Sequence, residues 1–275
     1  MKADLHMHSI DSDGLYTKEY LFQQAAKRGV DIIAITDHDV LKDVEETFKL
    51  SEMYGVKYIP AFELSTIEQE KSVHILGYFR DDSYKSEELA QYFKDIKLRR
   101  EQRAKQFISN LKEFHGLNVS YDDCFKFGKG IIARPHIAKA IRVNYPEYDH
   151  NYIFQNFIGE HCLGYVPSSL LSIEEGIKLL RRHNCLVILA HPVLLKEKIR
   201  DKVLSYDFDG YEARYYQNKE NDEEIYTNLA HKKDLIITAG SDFHGIPNDS
   251  KHGFIGDVVL EGKALEMFLE KISKI

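Results

Sequence analysis

The chain has 275 residues, 43% of them hydrophobic, and 37 Lys+Arg against 44 Asp+Glu, for a formal charge of −7 with 13 histidines counted neutral. Such a composition excludes intrinsic disorder, suffices for one large α/β domain or two ordinary ones, and argues against long duplex nucleic acid held by bulk charge. No stretch approaches the roughly 18 apolar residues of a membrane span, and Met1-Lys2-Ala3-Asp4-Leu5-His6 leads into no apolar signal region, so a cytoplasmic chain with no membrane partner is expected. Cys124, Cys162 and Cys185 are widely spaced and form no CxxC pattern, and they are expected to be reduced thiols.

In chain order, residues 3–8 read as a strand, 17–28 as a helix closed by Gly29, and 32–36 as a buried strand. A helix over 43–54 and a strand over 57–64 follow, and this βαβαβ rhythm predicts a parallel sheet flanked by helices. Residues 65–72 are too few for a helical crossover, so the strand over 73–79 should return as an antiparallel hairpin. The pattern changes over 86–115, one long helix carrying Lys97, Arg99, Arg100, Arg103 and Lys105, and 122–165 reads as short helices without strands. The basic run is read as a solvated face, with a phosphate-facing surface as the alternative. Ser172-Ile173-Glu174-Glu175 has the form of a capping box opening a helix to 183, and strands follow over 186–190, 210–213 and 235–239. This gives seven strands, an α/β core over 1–97 and 167–275, and an inserted helical cap subdomain over 98–166.

His6 and His8 stand at i and i+2 on the first strand, which sends both rings to one side. The loop behind them carries Asp13. Further strands end in Thr36-Asp37-His38-Asp39, at Glu63, in Ala190-His191-Pro192 and in Gly240-Ser241-Asp242-Phe243-His244-Gly245. Parallel strands deliver their C-terminal ends to one face, where sites are built. The hairpin would bring His74, at the start of its strand, beside Glu63. A single histidine or carboxylate at a strand end is ordinarily a cap or a satisfied core residue. Nine of them converging on one face point instead to a site for Zn, Mn or Fe.

Those segments, together with Val73-His74-Ile75-Leu76-Gly77-Tyr78, resemble the PHP (polymerase and histidinol phosphatase) family over nearly the whole chain. Arg134-Pro135-His136-Ile137-Ala138 resembles a motif of the subgroup acting on nucleoside phosphates and short oligonucleotides. Ala61-Phe62 before Glu63 and Val40 depart from the commoner glycine and threonine. The resemblance implies a distorted seven-stranded (β/α)7 TIM-like barrel with a small helical insert and three divalent metal ions (Mn, Zn or Fe). It implies one ion on His6, His8, Glu63 and Asp242, a second on Glu63, His74 and His191, and a third on Asp13, His38 and His244. Arg134 and His136 would by the same resemblance reach the substrate phosphate; by the chemistry of such a site His136 or His244 would protonate the leaving group, the alternative being that either serves only as ligand or electrostatic support.

Three such ions against three carboxylates leave the site about +3, an anion trap in an acidic chain. Metal-bound hydroxide would then attack a phosphate ester of a nucleoside 5′-monophosphate, a 3′,5′-bisphosphate or a short oligonucleotide. Histidinol phosphate is the alternative substrate, and a non-catalytic, metal-stabilised binding module is the alternative of another class. An amidohydrolase shares the HxH strand end, but no candidate lysine bridges the metals here. Asp4 and Asp37 are expected to orient imidazole nitrogens, and Glu212, Arg214, Tyr215 and Tyr216 to line the pocket.

Overall fold

The computed structural model describes residues 1–128 and 132–273. Two compact units are present, one of residues 1–90 and 171–275 and one of residues 91–170.

The first unit opens with β1 (Lys2–Asp4), α1 (Lys18–Lys27), β2 (Ile32–Ile33), α2 (Val44–Tyr54), β3 (Lys57–Tyr58), β4 (Ala61–Glu68) and β5 (Lys71–Phe79). Thr17 caps α1 by accepting from the Tyr20 amide, and Gly29 follows its end with φ 68°, a backbone state that costs glycine little. Next come α3 (Glu87–His115), which continues into the second unit, then α4 (Tyr121–Gly128), α5 (Arg134–Asn144) and α6 (His150–Asn156) within that unit. The first unit resumes with β6 (Leu171–Ser172), α7 (Ile173–Arg182), β7 (Cys185–Leu189), α8 (Glu197–Leu204), β8 (Gly210–Tyr215), α9 (Asp222–Lys232), β9 (Ile236–Gly240), β10 (Leu260–Glu261) and α10 (Gly262–Ser273). Ser172 and Glu175 form the capping box of α7.

The strands lie in two sheets, ordered β10-β1-β2-β3 and β6-β4-β5-β7-β8-β9. β1, β2 and β3 pair in parallel, as do β7, β8 and β9. β5 runs antiparallel to both β4 and β7, which makes it the reversed strand of the larger sheet. Two isolated parallel bridges, Met7 with Phe243 and His38 with Glu63, join the sheets on either side of β1 and β2.

Among the described residues ten strands are present where seven were expected. The strand expected over 57–64 is two, because Ile59 and Pro60 interrupt it and proline has no amide proton for the ladder. β6 and β10, two residues each, are too short for any hydrophobic period to mark them. The hairpin forms, but without a polar loop over 65–72: its strands run to Glu68 and Lys71 and turn on Gln69 and Glu70, at φ 45° and 59°. That is the left-handed pair of a two-residue turn, reached without the usual Asn-Gly signature. Glu63 and His74 consequently lie inside their strands, not at an end and a start.

The second unit has its own core, with Phe107, Leu111, Leu117, Ile137, Ile141 and Ile153 among its buried side chains. The basic run of α3 is not simply solvated: Arg103 donates to the Val166 and Pro167 carbonyls and lies over the Phe107 ring, while Lys105 pairs with Glu101. Cys124 and Cys185 are buried thiols and Cys162 is half-buried. No helix among the described residues is long and apolar enough to cross a membrane.

Gly210 is fixed by close approach of its neighbours. A Cβ there would stand 2.5 Å from the Ile236 carbonyl oxygen and 2.8 Å from Ile188 Cδ1. Gly210→Ala should therefore cost about 1–3 kcal/mol through overpacking between strands, read as a melting temperature lower by several degrees in a thermal circular dichroism scan. An unchanged melting point would contradict this packing.

Candidate metal centre

All nine residues marked by the sequence meet in the first unit. His6 and His8 lie just past β1, Asp13 in the loop behind them, His38 past β2, Glu63 within β4, His74 within β5, His191 past β7, and Asp242 and His244 past β9. Glu63 is 1% exposed and divides the rings between its two oxygens. Oε1 is 3.0 Å from His74 Nδ1 and 3.1 Å from His191 Nε2. Oε2 is 3.4 Å from His6 Nε2, 3.3 Å from His8 Nε2 and 3.1 Å from His38 Nδ1. Asp242 Oδ1 faces the same two nitrogens of His6 and His8 at 3.2 and 3.1 Å. Asp13 faces His8 Nδ1, His244 Nε2 and His38 Nε2 at 3.5, 3.3 and 3.8 Å. His8 and His38 thus each stand between two groups, a sharing that the sequence did not reveal.

The outward nitrogens of several rings are tied, which fixes the inward ones. His6 Nδ1 donates to Glu212 Oε1 at 2.9 Å, His74 Nε2 lies 3.0 Å from Ser72 Oγ, and His244 Nδ1 donates to the Asp242 carbonyl at 2.7 Å. From this network a neutral His6 presents its Nε2 lone pair to Glu63 and Asp242, and a neutral His244 presents its own to Asp13. Two of the residues are held on a left-handed backbone, His191 at φ 28° and Asp242 at φ 53°. Such strain costs on the order of 1–3 kcal/mol each and is countered locally. The His191 amide donates to Glu212 Oε2 at 2.7 Å and the Asp242 amide to the His6 carbonyl at 2.8 Å.

Burial opposes charge here, and at Glu63, Asp242 and His8 the neighbouring groups override it. Burial alone would raise Glu63, but the His38, His74 and His6 rings hold it well below the ordinary carboxylate range, and Asp242 is lowered likewise by His6, His8 and His244. Against its own burial His8 is pushed up to about 10 by Asp242 and Glu63, whereas burial takes His38 down to about 3. The carboxylates demand positive charge between the rings. Five inward nitrogens, His6 Nε2, both of His8, His38 Nδ1 and His74 Nδ1, are buried without a hydrogen-bond partner. Overlapping sets, among them His8-Asp13-His38-His244, His6-His8-Glu63 and His38-Glu63-His74, place their donor atoms within 4.8 Å of one another. Unpartnered imidazole lone pairs facing ionised carboxylates fit divalent cations of the Mn, Fe or Zn type, which would replace protons.

Residues 4–274 match the PHP domain family. The chain belongs to that family. It is similar to a 5′-3′ exoribonuclease of Haemophilus influenzae, 25% identical over 249 residues covering 88% of this chain and 90% of that protein. It is 26% identical over 250 residues to a 3′,5′-nucleoside bisphosphate phosphatase of Chromobacterium violaceum, covering 88% and 86%. A crystal structure from Bifidobacterium adolescentis, assigned as a metal-dependent phosphoesterase, aligns with a TM-score of 0.73 over 98% of this chain and 96% of that one, at 26% identity. This PHP domain is accordingly a metal-dependent phosphoesterase.

Asp4 and Asp37 of the PHP domain do not orient rings. Asp37 accepts from the Ser9 amide and from the Ser9 and Ser12 hydroxyls, bracing the loop that carries Asp13. Asp4 accepts from the Ser241 and Gly256 amides, pinning the β9 loop to β1. Their place beside the histidines in sequence gave no sign of this, because the partners come from other loops. The carboxylate that does orient a ring is Glu212, within β8 and 1% exposed. Tyr215 donates to Asp242 Oδ2 at 2.8 Å, while Arg214 turns away to Glu223. Tyr216 is 40% exposed and packs on Gly253. His252, marked by no motif, stands with its ring 4.2 Å from that of His244.

Arg134 and His136 lie in the second unit, at the start of α5. Arg134 is 3.8 Å from Glu160 and over the Tyr165 ring, and His136 Nδ1 accepts from the Ala133 amide at 3.1 Å. A neutral His136 therefore carries its proton on Nε2. Glu212→Gln keeps the shape beside His6 and removes the charge. It should weaken metal binding by about 10–100-fold, measured by competition with a chelating indicator, while an unchanged affinity would remove Glu212 from the centre.

Proposed function

We propose that the protein hydrolyses phosphate esters of nucleotides, as nucleoside 5′-monophosphates or 3′,5′-bisphosphates, or of short oligonucleotides, at a centre of three divalent ions. The observation that carries the reading is the division of rings between the two oxygens of Glu63, with Asp13 opposite a further set. One ion is assigned to His6, His8, Glu63 and Asp242, a second to Glu63, His74 and His191, and a third to Asp13, His38 and His244. The two bridges joining the sheets support a distorted barrel around them. Bound there, the ions would supply Lewis acidity toward the ester and a nucleophile at neutral pH.

The chain's own residues set the rest. Glu212 holds His6 and the His191 backbone, so the His6 ring keeps one orientation as substrate arrives. His244, its Nδ1 committed to a carbonyl, fits ligation to Asp13's ion better than proton donation. Resemblance in sequence assigns Arg134 to a bidentate clamp on the phosphate and His136 to a hydrogen bond from Nε2. The names of the similar proteins, an exoribonuclease and a bisphosphate phosphatase, support the nucleotide class.

The test is a screen of Mn-loaded protein on nucleoside 5′-monophosphates, 3′,5′-bisphosphates, short RNA and histidinol phosphate. Turnover of a nucleotide substrate, lost on chelation and lowered about 100-fold in kcat/KM by Arg134→Ala, is expected. Faster turnover of histidinol phosphate would overturn the substrate class. A protein that binds metal, unfolds on chelation and hydrolyses no ester would be the binding module.

A further inference from the structure

Strand β8 departs from a regular ladder at one place, and the departure serves the centre. Its register against β9 pairs Gly210 with Ile236, Tyr211 with Ile237 and Glu212 with Thr238, then resumes with Arg214 opposite Ala239 and Tyr215 opposite Gly240. Ala213 is the extra residue of a β-bulge. On an unbroken strand Glu212 and Arg214 would share a face and Tyr215 would lie on the other. The bulge resets the alternation, so Glu212 and Tyr215 both turn to the ligands and Arg214 turns away to Glu223. The bulge is itself held: Asn218 Nδ2 donates to the Ala213 carbonyl at 2.7 Å, and the Asn218 amide to the Tyr215 carbonyl at 3.0 Å.

Tyr215 is 3% exposed, and its ring centroid lies 5.3 Å from that of His191. Its hydroxyl accepts from Gln217 Nε2 at 3.2 Å and donates to Asp242 Oδ2 at 2.8 Å. A phenol has one proton to give, and with Gln217 donating to the oxygen that proton is directed to the carboxylate. The two oxygens of Asp242 are thereby divided. Oδ1 stands 3.2 and 3.1 Å from His6 Nε2 and His8 Nε2, while Oδ2 is turned to Tyr215 and, at 3.7 Å, to His252 Nε2. A donor at 2.8 Å fixes the rotation of a carboxylate whose backbone already sits at φ 53°.

We propose that the bulge in β8 makes Tyr215 a positioning residue of the metal centre: its hydroxyl, aimed by Gln217, holds Asp242 Oδ2 so that Asp242 offers its Oδ1 alone to the ion assigned to His6, His8 and Glu63. The inference rests on the reading of Asp242 as a ligand of that ion. One strand then sets two of the ion's ligands from behind, Glu212 fixing the His6 ring and Tyr215 the Asp242 carboxylate.

The experiment compares wild type, Tyr215→Phe and Gln217→Leu, each stripped of metal and titrated with Co(II) against a chelating indicator, with the visible absorption of the bound ion recorded. Tyr215→Phe should weaken one ion by about 10–100-fold and leave the others at wild-type affinity. The absorption should also fall, because an ion that takes both oxygens of Asp242 gains a ligand atom and moves toward the weakly absorbing six-coordinate form. Gln217→Leu keeps the hydroxyl but not its aim, and should move both readouts the same way by less; if Tyr215→Phe does not fold, it decides the matter. Wild-type affinities and spectra in the deciding variant would overturn the assignment of Tyr215 and leave the three-ion reading standing. So would equal weakening of every ion together with a lower melting temperature of the metal-free variant, the mark of a packing residue. A wild type that binds no Co(II) would overturn both.

Discussion

The structure depends on three carboxylates and six imidazoles whose facing oxygens and nitrogens stand 3.0–3.8 Å apart, most of them buried. Glu63 is the extreme case, nearly fully buried, with five rings around two oxygens. A buried carboxylate without compensating positive charge is costly enough that proteins ordinarily neutralise it. Here the neighbouring rings keep it ionised, and several of their nitrogens are left with no hydrogen bond to make. The arrangement makes physical sense as a receptacle for cations, and much of the surrounding chain keeps it from collapsing. Gly240 shows how little slack there is, since a Cβ would stand 2.2 Å from the His6 Cβ and 2.9 Å from Glu212 Oε1.

The fold's contribution is to bring distant segments to one end of the strands. Parallel β1, β2, β7 and β9 release His6, His8, His38, His191, Asp242 and His244 just beyond their last residues. The reversed β5 adds a ligand from the middle of a strand: pairing of Ser65 with His74 sets the latter diagonally across from Glu63. Asp4 and Asp37 then serve the loops rather than the rings, tying down the β9 and β1 loops that carry Asp242 and Asp13. With the ions held as proposed, a phosphate ester would meet a positively charged floor, the condition under which electrostatic stabilisation needs little reorganisation.

Much of this was legible in the sequence, for identifiable reasons. HxH on a strand has a fixed geometric meaning, and residues at the ends of parallel strands converge whatever lies between them. The hairpin was readable from the shortness of its connection. What escaped depends on tertiary partners or on turns without a signature. Gln69-Glu70 turns the hairpin with none of the residues that announce such a turn. Pro60 splits a strand whose hydrophobic pattern runs on unbroken. Glu212 is one glutamate among many until the fold sets it against His6, and Asp37, next to His38 in sequence, finds its partners in Ser9 and Ser12.

The central claim is that Glu63 bridges ions on both of its oxygens. The most direct measurement is an anomalous-difference map from a crystal of the Mn-loaded protein, collected on both sides of the manganese edge. The account predicts one peak against Oε1 between His74 and His191, a second against Oε2 between His6 and His8, and a third beside Asp13. A map with density on one side of Glu63 only, or with Glu63 bonded to protonated histidines and no metal beside it, would contradict the account.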